Sequence, residues 1–444
     1  MYLANTFLCT FLICQLHLLA QVDETLIWPV REQADWVDQM LEYRIDSLLP
    51  ELMRREGISM WILISREYNE DPVMKTMLPS SWLSARRRTI MVFFDPGDGN
   101  PIEKIAIARY SVGRLLRGEW NIDVYPDQWE ALMEYIEDKD PSSIGINISK
   151  NFGLADGLAH TDYSTFMENL PGKYKSKVVS AERLSIAWLE TRSPMELDMY
   201  PVLCKLGHQI LREAFSLKVI EPGITSTEDV VWWLRQRVID LGLTTWFQPT
   251  VSIQRADDEK FDHLRSFSKR PDTQIIQPGD LLHVDFGITY LRLNTDQQQH
   301  FYVPRAGEAS VPLYLQSAFR QGNRLQDILV SHFSVGKSGN EILKNALEEA
   351  KDEGIQASIY THPIGFHGHA AGPTIGLWDQ QEGVPGQGDY EMFYNTAYSI
   401  ELNVAVFIEE WNKIIRIMLE EDGVFGKEGF YYPDGRQEEI YLVD

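Results

Sequence analysis

The sequence predicts an α/β (α+β) fold in two parts. Short apolar runs typical of strands alternate with amphipathic helix patterns from Gln33 to about Leu184, and a new helix start follows at Ser193. A chain of 444 residues is long for one hydrophobic core and favours two domains. An apolar fraction of 44%, with twelve Trp and 24% charged residues, is typical of a well-buried globular protein rather than a disordered one.

The first part, residues 32–187, is predicted to be a smaller N-terminal α/β domain. An amphipathic helix is expected over Ala34–Glu56, where Gly57 ends it, and another over Trp129–Ile136. Strands are predicted at the short apolar runs Ile58–Ser65, Thr89–Asp95, Ile105–Ala108 and Ile144–Ile148.

The second part, residues 193–444, begins with a strong helix signal. Ser193 is a good N-cap, Pro194 suits the first helical position, and Glu196 completes a capping box. Further helices are predicted from about Thr225 to Gly242 and over Asn340–Asp352.

Two segments of the second part resemble each other. Gln277–Ile288 (QPGDLLHVDFGI) and Tyr394–Val404 (YNTAYSIELNV) are each a turn, an apolar run and an acid. We interpret them as a faint internal repeat, in which two α/β halves deliver Asp285 and Glu401 to a shared cleft. Chance similarity between buried strands is the alternative.

The N-terminus predicts export. Residues 1–20 carry no Lys, Arg, Asp or Glu, and an apolar run ends at Ala20, as in a secretory signal peptide. The expected location is therefore secreted or periplasmic, although the usual Lys or Arg at the start is missing; a misassigned start or a membrane tether are the alternatives. Cleavage would leave only Cys204, which cannot form an internal disulfide. The apolar run is too short to predict stable membrane insertion, and the net charge of −24 argues against a nucleic-acid partner.

The candidate functional stretch is Thr361–Gly376, which packs His362, His367 and His369 among glycines and prolines. It lies between separated acidic residues, with Asp285 and Asp296 upstream and Glu401 and Glu420 downstream. One imidazole and four carboxylates from separate segments suit a site for two divalent metal ions.

Each acid sits in a context that favours a special role. Asp285 interrupts an apolar strand, where a charge is costly unless it is paired or bound to metal. Asp296 follows eleven positions later, across a segment short enough for a hairpin. Glu401 also interrupts an apolar run, and Glu420 would share a strand face with Arg416.

The order DFG, TD, HPIG…H, SIEL and IRI…E resembles the metal-dependent "pita-bread" peptidases, which include methionine aminopeptidase, aminopeptidase P and prolidase. The resemblance covers Ser193 to the C-terminus, and the first part resembles the N-terminal domain of creatinase, aminopeptidase P and prolidase. It implies a C-terminal pita-bread fold with pseudo-twofold α/β halves.

The resemblance also implies a ligand set and a reaction. The implied metal ligands are Asp285, Asp296, His362, Glu401 and Glu420. They would hold two divalent ions, manganese first and cobalt, zinc or iron as alternatives, so that a metal-bridging hydroxide attacks a peptide bond next to a free N-terminus. Glu401 would be the general base, His369 would stabilise the oxyanion, and His263 is the nearest candidate for a second substrate-facing histidine. An Xaa-Pro aminopeptidase or dipeptidase, acting as a homodimer on peptides, is the implied enzyme.

The sequence departs from the family pattern in four places. Met418-Leu419 separates IRI from the acid, so Glu421 stays an alternative to Glu420. Ser358 replaces a histidine four residues before His362, Gln297–Gln299 replaces the usual Ile-Thr-Arg, and the upstream substrate histidine has no clean equivalent. These departures leave the proline requirement open.

Two other functions remain as alternatives. One is a non-catalytic binding protein on the same fold, and the other is a creatinase-like hydrolase of a non-peptide C–N bond. The retention of all five ligand positions argues against both. We interpret His367 as a pocket-lining or structural residue rather than a third ligand, and His283 as a core histidine that could also support the metal site.

Overall fold

We describe a computed structural model that covers residues 21–97, 99–257 and 273–444. The predicted signal peptide, residues 1–20, and His263 lie outside the described residues. Among the helices described, none is both long and apolar enough to cross a lipid bilayer.

The first part is a six-stranded sheet with helices on both faces. Its helices are α1 Val30–Tyr43, α2 Leu49–Arg55, α3 Pro72–Thr76, α4 Gln128–Lys139, α5 His160–Asn169, α6 Gly172–Lys175 and α7 Glu182–Glu190. Its strands are β1 Met60–Arg66, β2 Arg88–Phe94, β3 Glu103–Ala106, β4 Arg117–Gly118, β5 Ile144–Ile146 and β6 Val178–Ser180, in the order β4-β3-β2-β1-β5-β6.

Side chains of the central strands point alternately to the two faces of this sheet, and both faces are buried. Trp61 and Leu63 of β1 belong to the core that also holds buried residues of α1, α2 and α7. Ile62 and Ile64 of the same strand belong to a second core with residues of α4 and α5. Successive side chains of a strand point to opposite faces, so one strand serves both cores.

The described residues of the second part form four α-helices and the remaining strands. The helices are α8 Pro194–Ala214, α9 Thr227–Asp240, α10 Leu313–Ser331 and α11 Gly339–Asp352. The strands are β7 Thr250–Gln254, β8 Leu281–Phe286, β9 Thr289–Tyr290, β10 Leu293–Asn294, β11 Gln297–Tyr302, β12 Ala357–Ile359, β13 His362–Pro363, β14 Thr396–Ser399, β15 Leu402–Ile408, β16 Lys413–Leu419, β17 Asp422–Gly426, β18 Gly429–Tyr431 and β19 Tyr441–Leu442.

Two helix-and-sheet halves make up this second part, as the repeat predicted. The helices α8 and α9 share a core with the sheet β19-β11-β8-β7, and α10 and α11 share another with the sheet β12-β15-β16. A third sheet, β13-β14-β17-β18, contributes to both cores. The α/β fold class is thereby confirmed, while the domain boundary near residues 187–193 stays a prediction.

The two parts meet at a buried charged cluster. Ser193 caps α8 in the predicted capping box, with Glu196 as the reciprocating acid. Glu196 also accepts hydrogen bonds from Arg44 at 2.6 Å and Arg192 at 2.8 Å, and all three side chains are at most 5% exposed. One carboxylate therefore ties the first helices to the start of the second part.

Candidate metal centre

The five predicted ligands are brought together where the three larger sheets described in the second part meet. Asp285 lies near the end of β8, and Asp296 directly precedes its antiparallel partner β11. The hairpin β9–β10 connects them, as predicted. His362 begins β13, Glu401 lies between β14 and β15, and Glu420 lies between β16 and β17.

Distances between the ligand atoms are short enough for shared metal ions. One ligand atom from each of Asp285, Asp296 and Glu420 lies within 4.8 Å of the other two. The same holds for His362, Glu401 and Glu420. Glu420 belongs to both groups, which is the arrangement a bridging carboxylate requires.

The imidazole of His362 is presented in the form that a metal needs. Its Nδ1 donates to the Pro363 carbonyl oxygen at 3.0 Å, which leaves Nε2 as the acceptor nitrogen. Nε2 lies 3.8 Å from carboxylate oxygens of Asp296 and Glu420. Burial, with the nearby His369, lowers the pKa of His362 to about 3, so the ring is neutral at ordinary pH.

The carboxylates are crowded in a way that favours cation binding. Burial raises the pKa of Asp296 well above its ordinary value, and the neighbouring charges of Glu420, Asp285 and Glu401 add to this effect. Burial also raises the pKa of Glu401 well above its ordinary value, and the charges of Glu420 and Asp285 add to the effect. Bound divalent cations would offset this repulsion.

Two buried atoms point to the same conclusion. His362 Nε2 and Asp296 Oδ1 have no hydrogen-bond partner within the described part of the chain. Buried polar atoms without partners are rare and call for an explanation such as an ion. The residues present therefore fit a metal centre.

Glu420 and Glu421, the two candidates for the fifth ligand, lie in different surroundings. Glu420 lies within the ligand cluster, where it accepts a hydrogen bond from Ser399. Glu421 points elsewhere and contacts His208 Nε2 through its Oε2 at 2.8 Å. The geometry therefore favours Glu420 as the bridging acid.

His208 holds a charge in this neighbouring cluster. Its Nδ1 contacts Asp434 Oδ2 at 2.8 Å while its Nε2 contacts Glu421. Burial opposes the charged ring, but the carboxylates of Glu421 and Asp434 outweigh it and raise the pKa of His208 to about 10. The protonated imidazole is thus bound between two acids.

This cluster predicts a pH-dependent contribution to stability. Because the pKa of His208 is raised on folding, the contribution is fully present below the unfolded pKa of roughly 6.5 and is lost as the pH rises towards about 10. We expect His208→Ala to lower the free energy of unfolding by on the order of 3 kcal/mol at pH 6. Denaturant unfolding of both proteins from pH 6 to 9.5 should show this difference shrinking; a difference that is constant with pH would contradict the assignment.

His369 lies beside the metal cluster on its open side. It is exposed, and one of its nitrogens is within 4.8 Å of ligand atoms of Asp296 and His362. Its Nε2 is 3.5 Å from the Tyr360 hydroxyl. Its ring packs edge-to-face with the Trp246 ring, and the two ring centroids are 5.1 Å apart. This position suits contact with a substrate, and His369 is also close enough to Asp296 and His362 to act as a metal ligand.

His367 lies apart from the clusters of candidate ligands. Its pKa is lowered to about 4 by burial, with Arg192 and Lys75 as the charged neighbours. It is absent from the ligand groups found among the described residues. The geometry thus gives no support to His367 as a third ligand.

Several contributors were not singled out as site residues from the sequence. Trp246 donates from Nε1 to the Thr295 carbonyl at 2.9 Å and covers Gly368, where a Cβ would lie 2.2 Å from the indole. Tyr360 lies next to His369. In the sequence, only its position two residues before His362 could have indicated that it belongs to the site. Gln298 donates to two of the ligand carboxylates, although the sequence marked it only as a departure from the family pattern.

Comparisons with known proteins agree with this architecture. A sequence model of metallopeptidase family M24 matches residues 202–424. No curated protein sequence matches the chain significantly. All the similarities to solved structures described below are under 25% identity, and they show a shared fold.

Three solved structures illustrate the likeness. The X-Pro aminopeptidase from Thermotoga maritima MSB8 is 15% identical, with 88% of this chain and 100% of that chain covered at a TM-score of 0.61. The Xaa-Pro dipeptidase from Bacillus anthracis is 14% identical, with 94% of this chain and 100% of that chain covered at a TM-score of 0.60. The N-terminal domain of the FACT complex subunit SPT16 from Cicer arietinum (chickpea) is 11% identical. The alignment covers 94% of this chain and 100% of that chain at a TM-score of 0.55.

Proposed function

The chain belongs to metallopeptidase family M24, and on that basis we propose that it cleaves the peptide bond next to a free N-terminus as an Xaa-Pro aminopeptidase or dipeptidase. The observation that carries the proposal is the buried cluster of Asp285, Asp296, His362, Glu401 and Glu420, with its unpartnered imidazole nitrogen and carboxylate oxygen. A binding protein on this fold would have no need to retain such a cluster.

These five side chains would hold two divalent metal ions, with manganese as our first choice. When bound, the ions would lower the pKa of a shared water and polarise the substrate carbonyl. Carboxylates with one imidazole suit manganese, iron, cobalt or zinc.

The chain's own residues then supply the proton transfers and orientation. Glu401 accepts a proton from the attacking water, as a general base within the cluster. His369, whose pKa is lowered by its partial burial, donates a hydrogen bond to the carbonyl oxygen as negative charge develops there. The Tyr360 hydroxyl at 3.5 Å from His369 Nε2 helps to hold that ring in place.

A direct experiment tests this function. The purified protein is analysed for bound manganese, cobalt, zinc and iron, and is assayed on matched Xaa-Pro and Xaa-Ala peptides with free or acetylated N-termini. We expect about two ions per chain, chelator-sensitive release of the N-terminal residue, and no cleavage of acetylated peptides. A protein that takes up no metal and cleaves no peptide would refute the proposal, and one that binds peptides without cleaving them would favour the binding-protein alternative.

A cavity beside the candidate metal centre indicates which kind of substrate side chain the protein accepts. It has a volume of about 170 Å³ and is shared between the two parts of the chain. Its lining includes His362 and His369 from the second part and Phe152 and Leu154 from the first. Among the described residues that line this cavity, the ionisable groups are the two histidines and the Tyr360 phenol, so we propose that it accepts an uncharged side chain of the residue at the scissile bond.

A charge placed in this cavity should change the selectivity. Leu154 is half-buried at its wall, and Leu154→Asp introduces a carboxylate where Leu154→Asn introduces a neutral group of the same shape. We expect the ratio of kcat/KM for a Lys-containing peptide over its Leu counterpart to be about tenfold higher in the Asp variant, which corresponds to about 1.4 kcal/mol. Equal ratios in the two variants would show that this cavity does not hold the substrate side chain.

A further inference from the structure

We propose that Gln298 is a positioning residue that sets the spacing of two metal-binding carboxylates. Its side-chain Nε2 donates to Glu401 Oε1 at 3.0 Å and to Glu420 Oε2 at 2.6 Å. An amide nitrogen has two hydrogens, so a single glutamine can serve both acids at once. The inference rests on the proposed function, because it assumes that both acids bind metal.

The orientation of this amide follows from a hydrogen-bonded chain across three strands. The Gln298 Oε1 lies 2.8 Å from His283 Nε2, and His283 Nδ1 lies 3.4 Å from the Ser252 hydroxyl. A neutral histidine that donates from Nε2 and accepts at Nδ1 satisfies both contacts. The amide oxygen is then directed towards His283, and its two N–H groups are directed towards the acids.

The chain of contacts is buried and held by the backbone. Ser252, His283 and Gln298 are at most 5% exposed. Ser252 and His283 are paired residues of β7 and β8, and Gln298 pairs with Asp285 across β8 and β11. The Gln298 backbone N–H also donates to the Glu420 carbonyl at 2.9 Å, so Gln298 is bonded twice to that residue.

The benefit of this arrangement lies in preorganisation. Two nearby carboxylates repel each other before a cation arrives, and an amide that donates to both opposes their separation. Gln298 therefore holds both carboxylates, and His283 has a supporting role beyond that of a core histidine.

A matched pair of variants tests this role. Gln298→Met keeps the length of the side chain without its donors, whereas Gln299→Met removes the neighbouring buried amide, whose Nε2 is 3.4 Å from Glu421 outside the ligand cluster. The metal-free proteins are titrated with Mn²⁺ in a calorimeter, and their cobalt forms are compared by visible absorption. We expect Gln298→Met to bind Mn²⁺ roughly 10- to 100-fold more weakly and to alter the cobalt spectrum, with Gln299→Met close to wild type.

A second variant guards against a folding defect. His283→Phe preserves a ring of similar size but cannot fix the amide, and we expect a weakening of Mn²⁺ binding in the same direction, by roughly two- to tenfold. Thermal unfolding of the metal-free proteins serves as the control for stability. If wild type binds no Mn²⁺, the proposed function itself fails. If wild type binds two ions and both Gln298→Met and His283→Phe bind them with unchanged affinity and spectrum, the positioning role is overturned.

Discussion

Replacing Glu401 with glutamine is expected to lower kcat/KM on a cleaved peptide by roughly 100- to 10,000-fold. The substitution keeps the shape of the side chain but removes a negative ligand and the proposed base. It also leaves the Gln298 amide facing an uncharged amide instead of a carboxylate. Activity is measured at saturating Mn²⁺, so that weaker metal binding and lost chemistry can be separated.

The histidine assignments are tested by the same assay with metal analysis. His362→Ala should lose both metal and activity, because its Nε2 is the unpartnered buried nitrogen of the cluster. His369→Ala should keep metal and lose rate, because the ring is exposed beside the cluster. If His369→Ala emptied the site while His362→Ala did not, the two roles would be reversed.

Replacing Glu196 with alanine is expected to lower the free energy of unfolding by about 3 to 5 kcal/mol. The carboxylate is buried between Arg44 and Arg192 and also accepts the Ser193 backbone N–H at 2.7 Å. Its removal leaves two buried guanidinium groups without their shared partner. Chemical denaturation monitored by tryptophan fluorescence gives the change.

An exposed ion pair supplies the control for Glu196. Glu348 on α11 is 4.0 Å from Lys344, and both side chains are largely exposed. Exposed pairs of this kind contribute about 0 to 1 kcal/mol, so Glu348→Ala should be nearly neutral. Equal losses in the two variants would show that the junction cluster adds no special stability.

Local signals account for what the sequence predicted well. The capping box at Ser193 depends on residues three positions apart, and it is present in the structure. The hairpin that joins Asp285 to Asp296 followed from the short segment between the two acids. The resemblance to pita-bread metallopeptidases, and with it the enzyme class, is confirmed by the family match and the similar folds.

Tertiary context decided the features that were predicted incompletely. The first helix was expected to be continuous, but a π-helical turn at Arg44–Leu48 separates α1 from α2, just before Pro50, which lacks a backbone N–H. Glu401 was expected inside a strand, whereas the chain leaves β14 before it and begins β15 after it. The helix α10 was not predicted, although the spacing of Leu315, Phe319 and Leu325 carries its pattern.

The ligand assignments could be reached only through the resemblance, because the acids are distant in sequence. The hydrogen bonds of Gln298 join three segments, and no local pattern reveals them. The involvement of Trp246 depends likewise on its packing over Gly368, more than a hundred residues away.

The cavity wall at Phe152 and Leu154 separates two properties of the molecule. All five candidate ligands lie in the second part, whereas these two residues belong to the first. If the cavity holds the substrate side chain as proposed, mutations at this wall would change which peptides are accepted while the candidate ligands stay intact. Exchange of the segment around residues 152–154 between relatives would then alter substrate selectivity without touching the candidate ligands.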